Sequence, residues 1–406
     1  MSKNLLVLGA GNQAIEGLRQ LAAEGWRLVG CDIDRNAPGF VYCADTIIAS
    51  AYHFDQCLPK IETYHNMVQP IDGVMCLAID APHVAARIAH HLMLPGISIA
   101  TADLSVNKVA LKSRFLEQGI PTPAFREIYH HEELQDFAIR YPNGVVVKPA
   151  DSRGSKGVSW VRRQAGLYKA FFHAQEWSPS RRVIVEDFMP GPQISTESII
   201  LDGVAYTVGI SDRNYELLEK YAPYIVENGG DLPSLLSDEH IKNAHNVIQS
   251  VATALELTNG IIKGDLVFNG RQAFVIEVAL RLSGGYFCTY EIPLNTGVST
   301  VLPVARLAMG LRVNPDHLTP KFRKYVIQRY IFPTPGYVTS VAGIEKICSM
   351  EHVAHAEVWS KIGDYIQSPK NAGGSAGVVM TCAPTRKEAL ETMQKALTGI
   401  RITTKN

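Results

Sequence analysis

The sequence has no Cys-x-x-Cys pair, no apolar run long enough to cross a bilayer, no excess of either charge sign, no internal repeat and no low-complexity tract. Each absence removes a class of protein. The cysteines, at 31, 43, 57, 76, 288, 348 and 382, are scattered, which favours free thiols in a reducing compartment over a disulfide framework or a structural zinc site. Lys plus Arg and Asp plus Glu number 39 each, so net charge draws the chain neither to nucleic acid nor to an anionic membrane. Met1-Ser2-Lys3 leads straight into an apolar stretch, which leaves no room for a signal peptide. The expectation is a cytoplasmic protein without a membrane span, and 406 residues provide for two or three packed domains.

What is present begins with β/α alternation. Asn4–Leu8 is a buried-strand run, Gly9-Ala10-Gly11-Asn12-Gln13-Ala14 a tight turn into a helix reaching about Glu24, and Arg27–Cys31 a strand that ends in Asp32. A strand at Ile71–Leu77, a helix at Pro82–Met93 and a short strand at Gly96–Ile99 continue the pattern, which implies a parallel, doubly wound sheet. The G-x-G-x-x-A turn with an acid after the second strand fits a dinucleotide fingerprint, although such turns also serve only to pack a strand on a helix.

Gly119-Ile120-Pro121-Thr122-Pro123 is a rigid break that reads as a domain boundary. Past it, Val145-Val146-Val147-Lys148-Pro149 is a strand, followed by Asp151-Ser152-Arg153-Gly154-Ser155-Lys156-Gly157. That loop of glycines, hydroxyls and cations can fold over phosphates with backbone N–H donors, but it lacks the G-x-x-x-x-G-K-[ST] spacing. Lys148 alone reads as a lysine snorkelling from a strand end; beside this loop, a phosphate ligand is the better reading. Tyr221–Pro233 reads as loop, Leu235–Leu257 as a long helix, and Thr296–Met309 as helical.

The most informative stretch is Lys263–Gly285. Two strands, Ile261–Phe268 and Ala273–Ala279, flank an Asn269-Gly270 turn, a strong hairpin signal. Asp265 and Glu277 then lie on adjacent strands about 5 Å apart, where two carboxylates on one face share a divalent cation. Arg281 and the flexible Ser283-Gly284-Gly285 follow. A bland alternative is an exposed hairpin with solvated charges.

Taken in order, Asn107-Lys108, V-V-V-K-P at 145–149, D-S-R-G-S-K-G at 151–157, V-E-D-F-M-P-G at 185–191, T-E-S-I at 196–199, Asp265 and I-E-V-A-L-R-L-S-G-G at 276–285 resemble the ATP-grasp superfamily over nearly the whole chain. The resemblance implies a Rossmann-like N-terminal domain (1–106), a two-lobed ATP-grasp domain (107–320, lobes about 124–190 and 191–320) and a small C-terminal α+β subdomain (321–406) that completes the large lobe. It implies an ATP- and Mg²⁺-dependent ligase, with Mn²⁺ as an alternative ion, that makes an acyl phosphate from a carboxylate and passes the acyl group to an amine. Lys108 and Lys148 correspond to lysines on ATP phosphates. Ser152, Gly154, Ser155, Lys156 and Gly157 belong to the mobile flap. Glu186, Asp187 and Phe188 correspond to the segment that reads the adenine edge, and Gln193 to a ribose contact. Asp265 and Glu277 correspond to the metal acids. Arg281, with Lys148, corresponds to the catalytic cations, and Ser283 and Gly284 to the loop facing the carboxylate substrate. Small carboxylates and amines are the implied partners, with a homodimer as the implied assembly.

Two departures are visible. Glu277-Val278-Ala279 places alanine where the family often has a ligating asparagine, and Gln193 replaces a frequent glutamate. These keep open a non-catalytic nucleotide-binding protein, and the G-x-G turn keeps open a nicotinamide-dependent oxidoreductase. Glu197 is either a ligand-facing acid or a paired surface charge, Glu227 reads as a solvated loop acid, and His83 borders the expected cleft.

Overall fold

A computed structural model describes residues 2–405. The first sheet is parallel, β1 (Asn4–Leu8), β2 (Arg27–Asp32), β3 (Asp45–Ile48) and β4 (Gly73–Cys76), in the order β3-β2-β1-β4. All five residues of β1 are buried, as a strand covered on both faces requires. Helices Ile15–Ala23 and Phe54–Met67 connect strands, and helix Pro82–His91 follows β4. The strand expected at Gly96–Ile99 is absent. Ser98 accepts the Thr101 N–H and caps a helix, Ile99–Ser105, so local capping outweighs a short apolar run.

Asn107 caps the next helix, Lys108–Glu117, in the same way, which puts Lys108 at its first turn. A second sheet follows: β5 (Phe125–Ile128), β6 (Val145–Pro149), β7 (Ser159–Val161) and β8 (Val183–Asp187), antiparallel in the order β5-β8-β6-β7. Val145, Val147, Val183 and Val185 turn to one face and form a separate core with Leu134 and Phe171 from the covering helices. The period of two sends Val146, Lys148 and Glu186 to the other face.

The largest sheet is built from β9 (Gln193–Leu201), β10 (Val204–Arg213), β11 (Gly230–Leu232), β12 (Gly260–Asn269), β13 (Gln272–Ala279) and β14 (Tyr325–Ile331). After β15 (Gly336–Ala342) the chain adds β16 (Val353–Val358), β17 (Tyr365–Ile366), β18 (Gly377–Ala383) and β19 (Arg401–Lys405). Eight strands run β13-β12-β9-β10-β11-β14-β18-β16, and β17-β15-β19 form a small separate sheet. Tyr221–Pro233, read as loop, contains β11, whose Gly-Asp-Leu has no apolar period yet joins β10 to β14. The helix expected over Thr296–Met309 is split, because Gly297 at φ 75° ends Ile292–Thr296 before Val301–Ala308 begins.

Helix Asp238–Ala254 covers one face of β12 and β13 through Val247, Ile248 and Val251. The other core is shared: Leu5 and Val7 from the first sheet and Leu18 from the helix on it pack in one cluster with Ile199, Leu282, Val326 and Met380.

Candidate active site

Lys108, Lys148, Lys156, Glu186, Asp187, Asp265 and Glu277 converge on a cleft between β6 and β8 on one side and β12 and β13 on the other, roofed by the 151–157 flap. With the flap in place the free space is about 150 Å³, below the ~300–1,000 Å³ common for ligand clefts. Val146, Met189, Val267 and Ile276 give it apolar walls suited to a flat base. A larger cleft of about 1310 Å³ lies between helix Pro82–His91, the 95–101 segment and helix Val301–Ala308. Arg281 lines this larger cleft, but Asp265, Glu277, Lys108 and Lys148 all line the smaller one, so the chemistry is placed there.

Asp265 and Glu277 are direct register partners on β12 and β13. The turn between the strands forms as expected, with Gly270 at φ 58°. A β-bulge next to Asp265, where Leu266 pairs with Val275, leaves Ile276 as the extra residue. The bulge turns Glu277 toward Asp265 and adds Ile276 to the cleft wall, a use of bulges common beside active sites. Asp265 accepts from Ser195 Oγ at 2.5 Å and pairs with Lys263. Burial raises its pKa, but Lys263 and Arg213 outweigh this and hold the carboxyl below its ordinary value. Glu277 pairs with Lys108 at 3.2 Å. Each acid thus has an ammonium as counter-ion.

No group of three or more His, Cys, Asp or Glu side chains with metal-binding geometry occurs among the described residues. Two hard carboxylate donors suit Mg²⁺, which is commonly held by one or two carboxylates together with water and substrate phosphate. Ala279 faces Lys263 in register, so a methyl stands where a third oxygen donor was sought.

Lys148 and Glu186 form a buried pair at 2.6 Å, and Lys112 reaches the same carboxylate at 3.4 Å while donating to Thr122 Oγ1 at 2.7 Å. Burial pulls the Lys112 ammonium down to about 8, against the attraction of Glu186. Burial also pushes Glu186 up, but the two ammoniums prevail and keep it ionised below its ordinary range. The Glu186 carboxylate expected at the base edge is therefore the counter-ion of Lys148 and Lys112. The cleft wall continues through Asp187 and Phe188, with Phe188 stacked on Trp160 at 4.3 Å, and Gln193 stands at the start of β9.

The flap is anchored at its base, where Asp151 accepts from Ser178 Oγ at 2.6 Å and from the Ser180 N–H at 3.0 Å. Lys108 Nζ donates to the Ser152 carbonyl at 2.6 Å, and Lys156 lies over the Trp177 ring. Gly154, Ser155 and Gly157 all have positive φ. At Gly157 a Cβ would also lie 2.7 Å from both Pro149 and Trp177, so only glycine permits this path.

Arg281 Nε donates to Asp80 Oδ1 at 3.4 Å and Nη1 to the Leu282 carbonyl at 3.1 Å. Ser283 is buried, and its N–H donates to Glu197 Oε1 at 3.1 Å. Glu197 is fully buried rather than a surface charge, and burial raises its pKa to about 7. Glu227, read as a solvated acid, instead forms a half-buried pair with Arg213, and desolvation raises its carboxyl. Cys288 donates to the Ser283 carbonyl, and burial keeps it a thiol. His83 is half-buried, its pKa lowered by burial and by Arg153.

The residue that sequence reading missed is Gln13. Its Oε1 accepts the Gly285 N–H at 2.8 Å and lies 2.9 Å from where a Cβ on Gly284 would be. The G-x-G turn thus carries a support for the substrate loop. Asp32, the acid after the second strand, accepts the Ala10 N–H at 2.9 Å and the Asp34 N–H at 3.1 Å. No periodicity or spacing marks Gln13, because the contact joins residues 272 positions apart.

Residues 105–285 match the ATP-grasp domain, and residues 329–405 match the L-amino acid ligase C-terminal domain 2. An uncharacterized protein of Sinorhizobium fredii, y4rH, is 25% identical over 334 residues, 81% of this chain and 68% of that one. A D-alanine–D-alanine ligase of Gloeobacter violaceus is 29% identical over 45% of this chain and 61% of its own length, so under two thirds of that enzyme is spanned. The crystal structure of L-amino acid ligase from Bacillus licheniformis superposes with a TM-score of 0.85 at 19% identity, over 100% of this chain and 99% of that one, a likeness of fold. The chain carries an ATP-grasp domain, and its class is the ATP-dependent carboxylate–amine ligases. Within that class its C-terminal residues are those of the L-amino acid ligase domain.

Proposed function

We propose that the protein is an ADP-forming ligase that activates a small carboxylate as an acyl phosphate and joins it to an amine, an amino acid or another small amine. The observation that carries the reading is the facing of Asp265 and Glu277 across one hairpin, in a cleft that also holds Lys108, Lys148 and the flap. Units of 1–106, 107–320 and 321–406 belong to this reading, as does a homodimer, which light scattering tests.

In the first step a carboxylate oxygen of the acid attacks the γ-phosphorus of ATP and the bond to the β–γ bridging oxygen breaks, leaving ADP. In the second, the amine attacks the acyl carbon, the C–O bond to phosphate breaks, phosphate leaves and the amine loses a proton. Lys108 and Lys148 place positive charge beside the nucleotide phosphates, and Arg281 offers a guanidinium to the transferring group. Glu186 keeps Lys148 aimed from within the protein. The Glu197 and Gln13 contacts hold the 283–285 backbone where an acid substrate approaches, and the flap excludes water that would hydrolyse an acyl phosphate. Asp265 and Glu277 would hold Mg²⁺, or Mn²⁺ in its place, which supplies charge neutralisation at the phosphates.

Phosphorus NMR of the protein with Mg-ATP and pools of amino acids and other small carboxylates tests the reading. ADP and phosphate appearing with particular pools are expected. AMP and pyrophosphate would overturn acyl-phosphate chemistry, and ATP binding without turnover in any pool would favour a nucleotide-binding role.

A further inference from the structure

Asp80, in the loop after β4, takes part in two contacts that link otherwise separate parts of the site. Its carboxylate receives Arg281 Nε at 3.4 Å, and its main-chain carbonyl receives Nη1 of the flap residue Arg153 at 2.9 Å. The Arg153 guanidinium also lies 4.1 Å from the Tyr52 ring, so the flap docks on the first sheet at two points. Among the described residues Arg281 has no other carboxylate within ion-pair distance; its remaining hydrogen bond goes to the Leu282 carbonyl.

We infer that Asp80 is a positioning residue that couples closure of the flap to the placement of Arg281. The inference rests on the ligase reading above. Arg153 fixes the main chain of residue 80 only when the flap is down, and that main chain carries the carboxylate that aims Arg281. Burial opposes ionisation of Asp80, but Arg281, Lys108 and Arg153 together outweigh it, so the carboxylate is charged at neutral pH. It is then the counter-ion of cations that an incoming triphosphate also attracts. Binding equilibria of this kind are reciprocal: if the docked flap steadies Arg281, Arg281 steadies the docked flap.

Two measurements test this. In steady-state ligation, Asp80→Asn keeps the shape and the carbonyl but removes the charge. It is expected to lower kcat on the order of 10- to 100-fold, with the KM for ATP nearly unchanged. Arg153→Met lowers kcat by a similar factor, and the double variant falls little below the worse single one. A multiplicative double variant, or an Asn variant at wild-type kcat, overturns the coupling. In the second measurement, trypsin cleavage at Arg153 and Lys156 is followed with Mg²⁺ and β,γ-imido ATP. Asp80→Asn and, separately, Arg281→Met, which does not touch the flap, should each speed cleavage at Lys156 several-fold over wild type. Wild-type cleavage rates in both variants overturn the inference. This second readout needs no turnover, so a protein that forms no ADP with any acid would sink the ligase reading while leaving the coupling to be judged separately.

Discussion

Replacing Lys112 by methionine should stabilise the protein at neutral pH, although it removes a charged group from an ion cluster. Lys112 is 2% exposed and shares the Glu186 carboxylate with Lys148, so the cluster buries two ammoniums against one carboxylate. Its pKa falls from 10.5 to about 8 in the fold. At ~1.4 kcal/mol per pH unit, that gap means the ammonium is held about 3 kcal/mol less favourably than in the unfolded chain. Losing the hydrogen bond to Thr122 offsets about 1 kcal/mol, so the Lys112→Met variant should gain about 1–3 kcal/mol at pH 7. The sign with pH follows. Between pH 8 and 10.5 the unfolded state binds more protons at this site than the folded state, so wild-type stability from this group rises with pH. The variant has no such gain, and its advantage should shrink across that window. Urea unfolding of both proteins at pH 7 and at pH 10 measures the difference, in which other titrating groups largely cancel. A variant less stable than wild type by more than about 1 kcal/mol at pH 7, or an advantage that does not change between the two pH values, would refute the reasoning.

Glu277→Gln should lower ADP formation by about 10²–10³-fold with an unchanged circular dichroism spectrum, since one of two facing donors is lost at the phosphates. Near-wild-type turnover would remove the hairpin from the centre of the site. Ala279→Asn should lower the Mg²⁺ concentration needed for half-maximal activity; an unaltered metal titration would mean that position 279 is not beside the ion. Gly157→Ala brings a methyl against Pro149 and Trp177 at positive φ, and should lower kcat by about tenfold or more by holding the flap off its seat, as initial-rate measurements would show.

The elements legible in the sequence are those with a strong local signal. β1 and β6 match their apolar runs residue for residue, and the Asn-Gly turn gave the hairpin its position. The bulge at Ile276 was not legible, because a bulge is a property of pairing between strands and leaves no mark in one strand. β11 was missed for the same reason: a three-residue strand is defined by its neighbours β10 and β14. Among site residues, ordered motifs located the cations and acids of the cleft, but not what each one touches. Glu186 as a lysine counter-ion and Gln13 as a support for Gly285 depend on segments far apart in the chain, and Glu227 as the partner of Arg213 depends on how the loop between them folds back.

The shared core has a consequence in time. Leu5, Val7 and Leu18 leave the ribosome well before Val326 and Met380, which complete the cluster they join. At about 5–20 residues per second, that face of the first sheet waits roughly 20–75 s for its last partners. The β5–β8 sheet, whose core closes within residues 128–185, has no such delay. During synthesis the nucleotide-side lobe can therefore be complete while the sheet that precedes it is still half covered, and this early sheet is where a chaperone would find apolar surface to hold.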